Sequence, residues 1–317
     1  MERHIPILLE SLRTGTEPDF DLYMKQKDQY ILYRESDQPF GNRERARLLE
    51  ADISQLFVHA MDRKNYAGYV EQHLGDLITD KNLPVESRSS LVYESAKHIM
   101  DDTFADPRSG DNIKRTGEFI THTIGFVLNE PGSVKTLSAV TSYDYYTYTH
   151  SVNVSLFAIS LGQALGMKGN DLQTLGQGAL LHDVGKCDID NGIVNKEGPL
   201  NDEEFAEMKQ HPNYGHKMLE ESDDVPADCY VGVLQHHEKL SGAGYPNGLV
   251  DTEIETMGRI VAIADVFDAI STKRSYKPAL SVSKTLKIMS GMQGHFDPRL
   301  FVEFVKLMGK VDMPKRM

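Results

Sequence analysis

Hydrophobic positions along the chain change period part-way. Up to about residue 80 the pattern is mixed. Asp21–Lys25 and Gln29–Arg34 read as short strands, the second alternating through Tyr30, Leu32 and Arg34. Ser36-Asp-Gln-Pro-Phe-Gly41 is a turn, and Asn42–Ala51 a charged helix carrying Leu48 and Leu49. Leu56-Phe-Val58 suggests a third strand and Tyr66–Leu77 a further helix, so a small α/β unit is expected. From Val85 to Asn129 the spacing predicts two amphipathic helices, broken at Asp106-Pro-Arg-Ser-Gly110. Beyond the Glu130-Pro-Gly-Ser133 turn only helices are expected. We place the division at 1–117 for the α/β module with its connecting helix and 118–317 for a helical bundle. The fold class is therefore mainly α.

Within the second part, chemistry appears on apolar faces. Leu172, Leu175, Ala179 and His182 share one helical face ahead of Asp183, Gly185 and Lys186, with Asn170 and Gln173 resembling an N-cap and its reciprocal partner. His150 heads the stripe Val154, Phe157, Leu161 and Leu165. His211 precedes Pro212 at the mouth of a helix, His236 and His237 follow Val231, Val233 and Leu234, and Asp265 lies on the apolar helix Arg259–Ile270 with Val261 and Asp268. A lone His-Asp pair is more simply a satisfied core histidine beside a capping aspartate. Five helical elements each delivering an imidazole or carboxylate inward point instead to metal, because buried ionisable groups need partners. Such donors without thiolate suit iron, manganese, zinc or nickel. Seven donors exceed one ion's needs, and the two oxygens of Asp183 can bridge a pair.

Composition narrows the function classes. The chain has 317 residues, 40% hydrophobic and 26% charged, with a formal net charge of −13. That balance argues against DNA or RNA as partner but permits a small phosphate ligand where cations reverse the field locally. Cys187 and Cys229 give neither a disulfide framework nor thiolate spacing, which suits reduced thiols in the cytoplasm. The N-terminus lacks the order of a secretory signal. The uncharged run Tyr145–Met167 reaches membrane-spanning length, but Thr147, Thr149, His150, Asn153 and Gln163 make a helix buried in protein the better reading, without membrane insertion.

In order, His150, His182-Asp-Val-Gly-Lys186, His211-Pro-Asn-Tyr-Gly215, His236-His-Glu-Lys-Leu-Ser-Gly-Ala-Gly-Tyr-Pro-Asn-Gly-Leu249, Ala264-Asp-Val-Phe-Asp-Ala-Ile270, Arg274-Ser-Tyr-Lys277 and His295-Phe-Asp-Pro298 resemble the HD-GYP subgroup of HD-domain metal-dependent phosphohydrolases, over about Tyr143–Lys306. The resemblance implies an all-helical HD-type bundle that hydrolyses cyclic di-GMP to pGpG or GMP with two divalent ions, iron or alternatively manganese. It implies that His150, His182, Asp183 and Asp265 hold one ion, and that Asp183 bridges to a second held by His211, His236 and His237. Asp183 and Lys186 would take part in catalysis. Lys186, Arg274 and Lys277 would contact phosphate, with Tyr245 beside them in the Gly244–Pro246 loop. A signalling partner at that loop or at the N-terminal module is also implied.

Some relatives bind a third ion through a glutamate four residues before the first histidine. Here Tyr146 stands there, so two ions are expected. His216 falls off the donor face. Asp297-Pro298 reads as an N-cap with proline in the first turn. Asp268 is expected to anchor the Ser271–Lys277 loop rather than to serve a ligand, Glu238 either to orient His237 or to be a solvated acid, and Tyr245 either to stack on guanine or to shape its turn. The competing readings are a non-catalytic receptor of the same fold, an enzyme for another cyclic dinucleotide, and a di-iron oxygenase, which the Gly-Tyr-Pro stretch disfavours.

Overall fold

The computed structural model describes residues 4–140, 147–222, 225–272 and 279–310. Two compact units divide the chain, Met1–His98 and Ile99–Met317.

In the first unit, strands β1 (His4–Leu8), β2 (Leu22–Gln26), β3 (Gln29–Arg34) and β4 (Gln55–His59) form one antiparallel sheet in the order β1-β4-β2-β3. Lys27-Asp28 turns β2 directly into β3, pairing Gln26 with Gln29. Strand β1 was not expected from the sequence, because Pro6 interrupts its pattern. At a sheet edge, however, a missing N–H costs no ladder bond. Helices α1 (Asn42–Glu50), α2 (Arg63–Gln72) and α3 (Leu74–Thr79) complete this unit, the expected Tyr66–Leu77 helix stepping out of helical geometry at His73. Phe20, Leu22, Phe40, Leu56, Leu74 and Leu77 form its core.

Helix α4 (Val85–Ala105) contains the division between the units, and α5 (Gly110–Asn129) follows the expected break. The Ser109 hydroxyl accepts from Asn112 N at the start of α5. After α6 (Ser133–Val140) comes the central helix, α7 (Thr147–Ala164), packed against α5 and α8 (Gly169–Leu181). Residues 149–162 of α7 are buried on every face. Two of its hydroxyls are satisfied inside the protein, Ser155 donating to Gly176 O at 2.8 Å and Ser160 to Leu156 O at 2.7 Å, whereas Ser151 Oγ and Asn153 Oδ1 are buried without a hydrogen-bond partner. No helix among the described residues is long and apolar enough to cross a membrane.

The expected cap at Asn170 is not formed. Helix α8 begins at Gly169, whose φ of +53° turns the chain one residue earlier and leaves Lys168 at the N-cap without a side-chain bond. The bundle continues through α9 (Asn191–Val194), α10 (Asp202–Met208), α11 (His211–Glu220), α12 (Tyr230–Gln235), α13 (Thr256–Ser271), α14 (Val282–Ser290) and α15 (Pro298–Lys310). Helices α13 and α15 also pack on α7. Phe157, Phe267 and Phe304 form an aromatic triangle with centroids 5.0–6.3 Å apart, each fully buried ring contributing roughly 1.5–3 kcal/mol. Asp297 Oδ1 accepts from Arg299 N and Leu300 N, making the cap expected for α15, while Oδ2 accepts from Arg259.

Candidate metal centre

Five segments of the bundle bring their donors to one point. His150 lies in the first turns of α7, His182 and Asp183 directly follow α8, His211 opens α11, His236 and His237 follow α12, and Asp265 sits within α13. Side chains of all but His237 are at least nine-tenths buried; His237 keeps a quarter exposed. Two groups result, Asp183–His211–His236–His237 and His150–His182–Asp265, each with ligand atoms within 4.8 Å of one another.

The backbone fixes which nitrogen of each ring is bare. Nδ1 of His182 lies 2.8 Å from Ala179 O, that of His211 2.8 Å from Met208 O, and that of His236 2.8 Å from Val233 O. A carbonyl only accepts, so Nδ1 carries the proton and Nε2 of each neutral ring is a lone pair. These lone pairs face one another. His211 Nε2 and His236 Nε2 are 3.1 Å apart, and His182 Nε2 is buried without a partner, as is Asp183 Oδ1. Bare acceptors in contact repel unless a cation lies between them, so this donor set fits divalent metal.

Asp183 divides its oxygens between the groups. Oδ1 is 3.4 Å from His211 Nε2 and 3.9 Å from His236 Nε2, whereas Oδ2 is 3.4 Å from His182 Nε2 and 3.7 Å from His150 Nε2. Lys186 Nζ donates to Oδ2 at 2.5 Å. Burial alone would raise the Asp183 pKa, but the charge of Lys186, with the neighbouring His182 ring, holds it well below the ordinary carboxylate range. Asp265 is also held low against burial, chiefly by hydrogen bonding from His150. Burial pushes His211 down to about 3, His237 to about 4 and His236 well below its usual value. The rings are thus neutral and ready to ligate.

Supporting contacts lie behind these donors. Asp268, 2% exposed, accepts from His150 Nδ1 at 2.8 Å, from Asn153 Nδ2 at 2.8 Å and from Thr272 Oγ1 at 3.0 Å. It therefore orients a donor as well as tying down Thr272, where the sequence reading weighs these two roles against each other and favours the loop anchor. Its spacing of three residues from Asp265 placed it on the right face, but its partner is 118 residues away. Glu238 is neither of the things expected. Buried to 2%, it accepts from Asn247 N at 2.7 Å and Leu249 N at 3.0 Å, pinning the Gly244–Pro246 loop. The cis Tyr245–Pro246 bond and the Tyr245 N–H donated to His237 O at 3.2 Å fold this loop back, bringing the Tyr245 ring within 4.6 Å of the His237 ring. Gly244 permits the fold, since a Cβ there would lie 2.5 Å from Glu238 Cα and Lys239 N. Gly185 serves similarly where the segment after α8 meets α11, a Cβ there falling 2.0 Å from His211 O.

A cavity of about 1060 Å³ opens on the donors, and Lys186, His211, His237, Tyr245 and Asp265 are among its walls. His216 packs on Tyr230 at 5.0 Å, away from both donor groups. Arg274, Lys277 and Tyr146 lie outside the described residues.

The model of the HD domain matches residues 133–300, more than half of the chain. The chain belongs to the HD-domain family. Within the HD-domain relatives, the cyclic di-GMP phosphodiesterase PA4108 of Pseudomonas aeruginosa is 34% identical over 223 residues, covering 70% of this chain and 54% of that protein. The cyclic di-GMP phosphodiesterase of Thermotoga maritima is 32% identical over 197 residues, 61% of this chain and 53% of that one. The 3′3′-cGAMP-specific phosphodiesterase 3 of Vibrio cholerae is 35% identical over 162 residues, 51% of this chain and 35% of that one. The chain thus spans about half the length, or less, of these relatives. Among solved structures, Bd1817, an HDG"Y"P protein from Bdellovibrio bacteriovorus, shares the HD-domain fold with a TM-score of 0.67 at 20% identity, covering 97% of this chain and 100% of that one.

Proposed function

We propose that this HD-domain protein is a metal-dependent phosphodiesterase that hydrolyses cyclic di-GMP to pGpG or GMP at a pair of divalent ions, iron or alternatively manganese. The observation that carries the reading is the set of bare imidazole nitrogens and split carboxylate oxygens converging at the floor of an open cavity. His150, His182 and Asp265 would hold one ion, and His211, His236 and His237 the other, with Asp183 shared. Ions bound there supply acidified water and positive charge beside the phosphoryl oxygens.

The chain's own groups do the rest. Asp183 stays ionised under the charge of Lys186. Lys186, on the cavity wall beside Asp183, would donate charge-assisted hydrogen bonds to a non-bridging phosphoryl oxygen. Tyr245, its phenol pushed well above the ordinary range by burial, stays neutral and offers a ring face for a base. The names of the relatives, together with this cavity, support a cyclic dinucleotide as substrate. A signalling partner at the Gly244–Pro246 loop or at the Met1–His98 unit, and a cytoplasmic setting suited to free Cys187 and Cys229, belong to the same reading.

The test is a metal-defined turnover assay on the wild type and Asp183→Ala, with products separated by chromatography. Conversion of cyclic di-GMP by the wild type, lost together with bound metal in the variant, is the expected outcome. Absence of linear product with every metal tried would overturn it. A second reading, 3′3′-cGAMP as preferred substrate, is favoured by the Vibrio cholerae relative and is separated by competing the two nucleotides in one assay. Binding without turnover would identify a receptor instead.

A further inference from the structure

A cyclic dinucleotide carries two phosphodiesters, and the donor cluster with Lys186 accounts for one. The chain is strongly acidic overall, at −13, so a second phosphate needs its own local cation. Among the described residues three lysines reach the cavity, Arg274 and Lys277 lying outside them. Lys186 is ion-paired with Asp183 and Lys196 with Glu204, each at 2.5 Å. Lys239, half-buried, has no acidic partner among the described residues.

We propose that Lys239, with His295 beside it, forms a second phosphate subsite that holds the non-scissile phosphodiester of the substrate. The inference rests on the cyclic dinucleotide reading above and extends it.

The two residues come from loops bound to each other. Ser241 N donates to Gly294 O at 2.9 Å, which ties the segment after His237 to the one before α15. Behind Lys239, the buried Glu238 carboxylate fixes the loop from the other side. The His295 ring stacks on Phe296 at 4.4 Å, and Phe296 stacks on Phe301 at 5.7 Å, so the imidazole is held at the cavity wall. Lys186 is paired with Asp183 at the donor cluster, whereas Lys239 is the neighbouring cation of His295. Burial and the neighbouring ammonium lower the His295 pKa against the pull of Asp265, leaving a neutral ring with an N–H to donate while Lys239 supplies the charge. One cation plus one neutral donor matches the single negative charge of a phosphodiester.

The experiment measures kcat and KM of the metal-loaded full chain for cyclic di-GMP and for bis(4-nitrophenyl) phosphate, which has one phosphodiester. Wild type, Lys239→Gln, Lys239→Arg and His295→Ala are compared. Lys239→Gln is expected to raise KM for cyclic di-GMP roughly tenfold, the size of one charge-assisted hydrogen bond. Its loss in kcat/KM on the single diester should be several-fold smaller, Lys239→Arg should recover most of the affinity, and His295→Ala should give a smaller rise in KM. Equal proportional losses on the two substrates, or an unchanged KM for cyclic di-GMP, would overturn the subsite. If the wild type turns over neither diester, the phosphodiesterase reading fails separately and equilibrium dialysis with cyclic di-GMP decides. A Kd weakened roughly tenfold in Lys239→Gln supports the subsite; an equal Kd, or no binding by the wild type, removes it.

Discussion

Asp268 holds His150 by its far nitrogen: Oδ2 and Nδ1 are 2.8 Å apart, with both residues at 2% exposure. His150 Nε2 is thereby aimed at Asp265 Oδ1, 3.1 Å away, a separation that requires a proton or a cation between them. Removing the orienting carboxylate leaves the donor set intact but frees the ring. Asp268→Ala should therefore weaken metal binding about 10- to 100-fold, the usual scale for such outer partners. Competition titration against a chelator of known affinity measures it, and affinity within twofold of wild type would contradict it.

Asp183 presents one oxygen to each donor group, so its loss should empty both. Elemental analysis should give two divalent ions per chain for the wild type and less than one for Asp183→Ala. A reproducible three in the wild type would refute the pairing.

Stripping the metal should expose a specific acid sensitivity. His211 falls from 6.5 to about 3 and His237 to about 4, burial being the main cause in both. His237, a quarter exposed, is the less depressed. Between these values and 6.5 the unfolded chain binds more protons than the folded one, so stability rises with pH across that window. The metal-free protein should lose Tm steadily as pH falls from 6.5 towards 4. Replacing His211 with Gln should flatten the slope by about one proton's worth.

Metal should stabilise the fold by mass action. A chelator is expected to lower Tm, since an ion at a thousand times its Kd adds about 4 kcal/mol. Identical melting with and without chelator would mean that the ions bind the unfolded chain equally well, or not at all.

Gly185→Ala should be among the most damaging single-methyl additions. The new Cβ would overlap His211 O and Gly215 N, both backbone atoms that cannot swing aside. A loss of about 3 kcal/mol is expected from overpacking, read by urea unfolding, with reduced metal content because His211 is displaced.

The long helices were legible because each buries a stripe at helical spacing; α4, α5 and α13 start and stop within a few residues of where pattern and breakers put them. Strand β1 was not, because a proline hides an edge strand that only its neighbour β4 justifies. At the site, the histidines and aspartates stood out as polar groups on apolar faces. What spacing does not encode is who answers them. The roles of Asp268 and Glu238 depend on partners brought up by tertiary packing and by a folded-back loop, and neither has a local signature. The Asn170 cap misled because a positive-φ glycine one residue earlier outcompeted it.

The donors are scattered from His150 to Asp265, one small share per segment. Asp183, His211, His236 and His237 fall within one stretch of chain, whereas the other group needs His150 from upstream and Asp265 from downstream. A chain emerging from the ribosome must release Asp265 before the second group is complete, so occupancy of both sites would report a finished fold rather than a partly made one.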